Sequence, residues 1–203
     1  MENFIQVGGR KYPLSDAQAA ALMEQVRRAD VKLAEIKPGS IALIGEWEFV
    51  VLEQREDETV LILRELLEDD VRFGDNNRYD GSDVDGICCR FAKELAGAVG
   101  EDNLLEFEVD LTSDDGLKDY GSVFRKAALM TTEQYRKYVD VLDQKILEEW
   151  WWLATPSSTE RHESAAWLKC VSPRGHFNIV NVNIVDVGVR PFCILKSNIF
   201  VSC

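Results

Sequence analysis

Two histidines and five cysteines are the side chains of this 203-residue chain best suited to nucleophilic chemistry. A thiol beside an imidazole can attack a carbonyl, so Cys170 with His176, or Cys193 with His162, are conceivable dyads. No Gly-x-Ser-x-Gly elbow, phosphate loop, His-Glu-x-x-His or dinucleotide fingerprint accompanies them, so catalysis is not expected. The acidic loop GDNNRYDGSDVDG at 74–86 invites a calcium assignment. The EF-hand pattern fails there, because Gly86 as the sixth residue puts Gly81 first and Ala92 twelfth. Ser82, Asp83 and Asp85 instead suit the positive end of a helix over roughly 83–98. The cysteines, Cys88, Cys89, Cys170, Cys193 and Cys203, are odd in number and match no zinc spacing. Reduced thiols, no metal and no cofactor are the expectation, with a Cys170–Cys193 bond across neighbouring strands left open.

Binding chemistry has better candidates. Ser158, Arg161, His162, Arg174, His176, Asn178, Asn181 and Asn183 fall within residues 157–183. Asparagine is unusual in strands. In an extended segment Asn181 and Asn183 share a face, and Asn178 lies on the other unless a bulge intervenes. Both an adaptable hydrogen-bonding surface, of the kind paratopes use, and a plain exposed sheet face fit this pattern.

Charge narrows the partners. The formal net charge is −13, and residues 46–119 hold 23 acidic against 7 basic side chains, a local net of −16. From Trp150 to Cys203 there are three acids and five bases. Phosphate binding needs clustered Lys and Arg, so direct nucleic-acid binding is not expected. The acidic middle suits solubility, and it also suits sequestration of a basic partner or mimicry of nucleic acid. No run of 18 apolar residues suggests a membrane span, and MENFIQVGGRKYPL does not read as a secretory signal. A cytoplasmic protein or a phage-particle component is expected.

These residues must be positioned by an α+β chain. Residues 4–7 and 10–12 flank Gly8-Gly9 as a small hairpin. Ser15 and Gln18 form a capping box for a helix carrying Ala19, Leu22, Val26, Ala29 and Leu33, ended by Lys37-Pro38-Gly39. Strands follow at 40–44, 47–54 and 59–65, and the runs FVVL and VLIL suggest a sheet buried on most of both faces. Residues 101–120 read as irregular, 123–130 as a strand, and Thr131 with Gln134 caps a helix to about Leu142. Strands are then expected at 150–153, 165–171, 177–185, 191–195 and 199–202.

Two segments are apolar enough to demand burial. Trp150-Trp151-Trp152-Leu153-Ala154-Thr155-Pro156 puts Trp150 and Trp152 on one side of a strand and Trp151 on the other. Gly188-Val189-Arg190-Pro191 follows, and Arg190 in this apolar setting is expected to satisfy buried carbonyls or a carboxylate. Trp150, Trp151, Trp152, Pro156, Gly188, Arg190 and Pro191 are therefore structural candidates. The two segments resemble an uncharacterised bacterial and phage domain family marked by Trp-Trp-Leu-Arg-Ser-Pro and a terminal Gly-Val-Arg-Pro-Ala-Leu. This chain departs from that pattern at Ala154 and Thr155. The family is similar to C-type-lectin-like and formylglycine-generating-enzyme-like domains. The Glu-Pro-Asn and Trp-Asn-Asp triplets of calcium-dependent sugar-binding lectins are absent.

The resemblance implies a C-type-lectin-like fold over 38–203, with mixed or antiparallel sheets and two or three helices. Residues 1–37 would form a hairpin-helix appendage. It implies a non-enzymatic module that binds an unknown protein or glycan through its C-terminal loops, with homo-oligomerisation open. The alternatives are an acidic protein that sequesters a basic partner, or a structural phage component.

Overall fold

The computed structural model describes residues 4–7, 10–19, 31–143, 147–162 and 165–202. It is a mixed α+β protein whose strand pairs are almost all antiparallel. The frame is a sheet built on β4 (Ile41–Ile44), β5 (Trp47–Gln54), β6 (Glu58–Leu63) and β14 (Phe192–Lys196), in the order β14-β6-β5-β4. The outer edge of β14 is shared by β10 (Ala127–Ala128) and β7 (Leu104–Leu105).

Both faces of this sheet are buried, which explains the unbroken apolar runs of β5 and β6. Phe49, Val51, Leu61, Leu63, Cys193 and Leu195 face one cluster with α1 (Asp83–Val99). Val50, Leu52, Val60, Ile62, Phe192 and Ile194 face the opposite one. There they meet Tyr135, Tyr138 and Leu142 of α2 (Thr132–Leu142) and Trp151 of β11 (Trp151–Pro156). The stripe of α1 divides along its length. Phe91, Ala92, Leu95 and Ala96 cover the large sheet, and Val84, Ile87 and Cys88 enter a third cluster with Phe73, Tyr79 and Trp152. Both helices start as their sequences dictate. The Ser82 hydroxyl accepts from the Asp85 amide, and Thr131 and Gln134 complete a capping box.

A three-stranded sheet, β11-β12-β13, adds β12 (Trp167–Val171) and β13 (Phe177–Asn181). Trp152 and Trp151 point to opposite sides of β11, and Trp150 packs partly on the side of Trp152. The segment 187–191 is laced between β11 and the chain after β6. On one edge the Gly188 amide donates to the Trp150 carbonyl at 2.8 Å, and the Trp152 amide to the Gly188 carbonyl at 3.0 Å. On the other, the Val189 amide donates to the Glu68 carbonyl and the Leu67 amide to the Val189 carbonyl, both at 2.8 Å. Arg190 is buried, with Nε donating to the Leu63 carbonyl at 2.8 Å and Nη2 to the Arg64 carbonyl at 3.1 Å. Its guanidinium lies 5.3 Å from the Trp151 ring centroid. Burial pulls its pKa down to about 10, so it stays charged at neutral pH.

Several expectations are corrected. The helix expected to run to Leu33 does not reach it, because Val31–Lys32 forms β3, paired with β15 (Phe200–Val201), and Leu33 opens a 3-10 turn. Leu33 and Ile36 are part of the main core. Ser15 and Gln18 do form a capping box over residues 16–19, and Leu22, Val26 and Ala29 lie outside the described residues. The hairpin β1 (Phe4–Val7) and β2 (Arg10–Pro13) is present. The irregular stretch contains β7 and β8 (Phe107–Asp110), and β8 pairs with β9 (Ser122–Arg125), so the strand expected over 123–130 is two pieces serving different sheets. Cys170 and Cys193 are free thiols in separate clusters, so they form no disulfide. No helix among the described residues is long and apolar enough to cross a membrane.

The lacing of 187–191 leaves no room at Gly188. A Cβ there would overlap Leu66 Cδ1 and stand 3.0 Å from the Glu68 carbonyl oxygen. Gly188→Ala should lower stability by about 1–3 kcal/mol, read as a fall in the urea midpoint with an unchanged slope. A variant as stable as the parent would show that this backbone approach is not tight.

Candidate binding surface

Three loops meet at one end of β12. The anchor is Asn77, fully buried in the loop before α1. Its Nδ2 donates to the Ser158 and Trp167 carbonyls, both at 2.9 Å, and its Oδ1 accepts from Tyr120 Oη at 2.8 Å. Its amide donates to the Ala165 carbonyl. One amide side chain thus ties loop 74–82 to Tyr120 of loop 111–121 and to the carbonyls of Ser158 and Trp167, with every side-chain proton used.

The 111–121 loop grips 157–162 through two carboxylates. Asp115 accepts from Ser113 Oγ, from Ser158 Oγ at 2.7 Å and from His162 Nδ1 at 3.2 Å. Asp119 accepts from Thr159 Oγ1 at 2.6 Å and pairs with Arg161 at 3.1 Å. The Ser113 hydroxyl, then that of Ser158 and the His162 ring, hold the Asp115 carboxyl well below the usual carboxylate range. The buried Asp85 pairs in a fork with Arg125, Nε to Oδ1 and Nη2 to Oδ2, both at 2.8 Å. Arg125 also reaches Asp80 at 2.8 Å, and Arg72 pairs with Asp75 and Asp83, so the acids of the 74–86 loop are paired with arginines of β9 and of the preceding chain.

The candidate residues from 157–183 are not brought to one place. Ser158 is buried in the clasp, and Arg161 and His162 lie exposed above it. Arg174 and His176 belong to the β12–β13 turn, where both amides donate to Ser172 Oγ. That turn is at the opposite end of a five-residue hairpin, ~13 Å away at strand rise. The asparagines are also redistributed. β13 stops at Asn181, so Asn181 and Asn183 do not share a strand face; instead Asn183 donates from its amide and from Nδ2 to Asn181 Oδ1. Asn178 Oδ1 accepts from the Ile179 amide, and the Asn181 carbonyl accepts from Ile184. β13 is the outer strand of its sheet, and these contacts occupy backbone groups along its free edge.

What lies exposed around that edge is apolar. Trp167, Ile179, Ile184 and Val185 are each between 43% and 50% exposed. Trp167 pairs with Asn181 and Lys169 with Ile179, so Trp167 and Ile179 are diagonal neighbours on one face. That face continues through Lys169, which pairs with Asp114 at 2.8 Å, to Phe177, over which Arg136 sits at 5.1 Å. The alternation Trp167-Leu168-Lys169-Cys170 carried this signal, since it places Trp167 beside Lys169 on the outward face. The roles of Asn77, Asp115 and Asp119 had no local signature.

Neither histidine ring is within bonding distance of a cysteine among the described residues. Burial pushes the Cys170 thiol up to about 12 and raises that of Cys193 further, so neither is a thiolate at neutral pH. No group of three or more His, Cys, Asp or Glu side chains among the described residues is arranged to hold a metal ion.

Two outcomes are expected of the clasp. Asn77→Ala strands the Ser158 carbonyl and a tyrosine hydroxyl and takes one of two donors from the Trp167 carbonyl, and should cost about 2 kcal/mol or more in chemical denaturation. The folded-state pKa of Asp115 is depressed, so its contribution is present above the ordinary value of 3.8 and is lost as pH falls through the folded value. Asp115→Asn should therefore flatten the acid limb of the stability profile below about pH 4 while speeding hydrogen exchange in residues 157–162. An unchanged acid limb would remove Asp115 from that role.

Comparison of the chain with protein-family models, with curated proteins and with solved structures finds no match.

Proposed function

We propose that the chain is a non-enzymatic module that binds a protein partner through the outward face of the β12–β13 hairpin and the turn that follows β13. The observation that carries this reading is the group Trp167, Ile179, Ile184 and Val185, four large apolar side chains exposed around one sheet edge. Exposed apolar groups gathered in this way mark interaction surfaces, and tryptophan is a frequent anchor in them. The polar residues of 157–162 form a rim held by Asp115 and Asp119. The hairpin turn with Arg174 and His176 lies outside the centre.

The C-type-lectin-like assignment over 38–203, and the family resemblance behind it, belong to the same proposal. Their support is the junction of the Trp-rich strand with the Gly-Val-Arg-Pro segment, where Trp151 and Gly188 form a parallel bridge. In this reading the junction forms the base, and the loops above it form the surface.

The test is capture from producer-cell lysate at low and high salt, followed by mass spectrometry. Wild type should retain a defined protein at both salt concentrations. A folded Trp167→Glu, Ile179→Lys variant should lose it, and Arg174→Ala, His176→Ala should keep it. Capture of nothing, or equal capture by the Trp167→Glu, Ile179→Lys variant, would sink the proposal. A partner released by salt alone would shift the assignment to the acidic 46–119 surface, because exposed charge pairs are screened within about 10 Å at 0.1 M salt.

A further inference from the structure

The hairpin differs in charge from the rest of the molecule. The chain has a net charge of −13, and residues 46–119 hold 23 acidic against 7 basic side chains. Residues 165–185 form β12, β13, the turn between them and the turn after β13. They contain no acidic side chain and two basic ones, Lys169 and Arg174. The exposed Trp167, Ile179, Ile184 and Val185 all belong to this acid-free stretch.

Neighbouring elements bring further charge to one end of the face. Cross-strand pairing runs Trp167 to Asn181, Lys169 to Ile179 and Val171 to Phe177. Trp167 therefore lies at the Asn181 end and Phe177 at the end near the β12–β13 turn. Arg136 of α2 is exposed and sits over the Phe177 ring at 5.1 Å. Arg174 is exposed in the turn itself, which it shares with His176. Asp114 is the carboxylate that reaches the face, and it is held by Lys169 at 2.8 Å, with Arg136 at 3.7 Å. One carboxylate thus serves two cations. Glu133 and Asp140 lie about one turn to either side of Arg136, on α2 and not on the hairpin. Glu160, Glu163 and Asp186 flank the acid-free stretch in sequence.

Exposed charges more than about 8 Å apart are largely screened at physiological ionic strength, so the groups beside the face decide what it meets. A basic segment would face Arg136 and Arg174 with no carboxylate of the hairpin to offset them, and the acidic 46–119 surface would compete for it. An acidic segment meets two exposed guanidinium groups, whose planar forks match carboxylates. Strand rise separates the arginine end from Trp167 by ~13 Å. A matching segment therefore carries its carboxylates several residues away from its main apolar anchor.

We infer, on the reading of this face as a protein-binding surface, that its occupant is an acidic apolar segment of another protein. Its large apolar side chains cover Trp167 and Ile179, and its carboxylates turn toward Arg136 and Arg174. Apolar burial supplies the affinity, and the arginines discriminate against basic and uncharged segments.

The test is an NMR titration of the full chain with three pools of short peptides. The pools share their apolar positions and differ only in carrying glutamate, serine or lysine between them. Glutamate peptides should shift the Trp167 indole and the Ile179 amide saturably, with a Kd about fivefold below that of the serine pool and further below that of the lysine pool. Arg136→Gln with Arg174→Glu should erase this preference and leave the Kd of the serine pool unchanged. Arg174→Glu alone, in a turn away from α2, should lower the preference. Serine or lysine peptides binding the face as tightly as glutamate peptides would overturn the inference and leave the protein-binding face standing. A full preference in the double variant, or no saturable shift at Trp167 and Ile179 with any pool, would also overturn it. Shifts of those two signals with protein concentration alone would assign the face to a second copy and overturn it too. The captured partner, kept by wild type and lost by Trp167→Glu, Ile179→Lys, decides the face itself separately.

Discussion

The structure depends on how closely one stretch of backbone approaches another at Gly188. β11 is wide with tryptophan on both sides, yet its main chain must still be paired with something narrow. The 187–191 segment fills that gap because its first residue has no side chain. It bonds β11 on one edge and the chain after β6 on the other, and it then turns into β14, the strand that joins β6 to β10 and β7 in the large sheet. Arg190 completes the seam by pairing two carbonyls that the end of β6 leaves unbonded, while its planar face covers Trp151. A lysine there would supply neither the fork nor the flat contact.

From that seam the three apolar clusters follow. Trp151 and Trp152 belong to different clusters because successive side chains point to opposite sides of β11, one toward the large sheet and α2, the other toward the start of α1. The division of the α1 stripe has the same origin. Its last turns rest on the sheet, and its first turns reach past the sheet toward Trp152. The loops at the open end are then fixed by polar contacts, chiefly Asn77 and the two carboxylates of 111–121. Core and surface are thus held by different forces. Acid should loosen the loops through Asp115 before it affects apolar packing, whereas a cavity in the Trp152 cluster should affect both.

Much of the frame was legible in the sequence. β5 and β6 announce themselves by unbroken apolar runs, α1 and α2 by their caps, and β11 by its tryptophans. Residues Val31–Glu35 were misread because Leu33 extends a helical spacing that begins at Ala19, and nothing local marks Val31 as the partner of Phe200. The binding residues were legible only in part. Polar side chains between 157 and 183 look alike in one dimension, but Ser158 is consumed by Asp115, and Asn178 by its own neighbour's amide. Such pairings join positions more than 40 residues apart, or depend on where a strand ends, and periodicity carries neither. The outward alternation of Trp167 and Lys169 was the readable signal, outweighed by the conspicuous histidines and arginines.

Asn178, at the outer edge of β13, has a consequence for how the chain behaves in company. An outer strand flanked by exposed Trp167 and Ile179 would ordinarily invite a second molecule to continue the sheet, copy after copy. The Asn178 side chain occupies the Ile179 amide that such a neighbour would need, and the turn at Ile184 occupies the Asn181 carbonyl. Apolar contact is left available while two of the main-chain groups that strand addition would use are already taken. The face can therefore be sticky while it discourages polymerisation, and what it selects is chosen more by the shape of side chains than by the main-chain pattern common to every polypeptide.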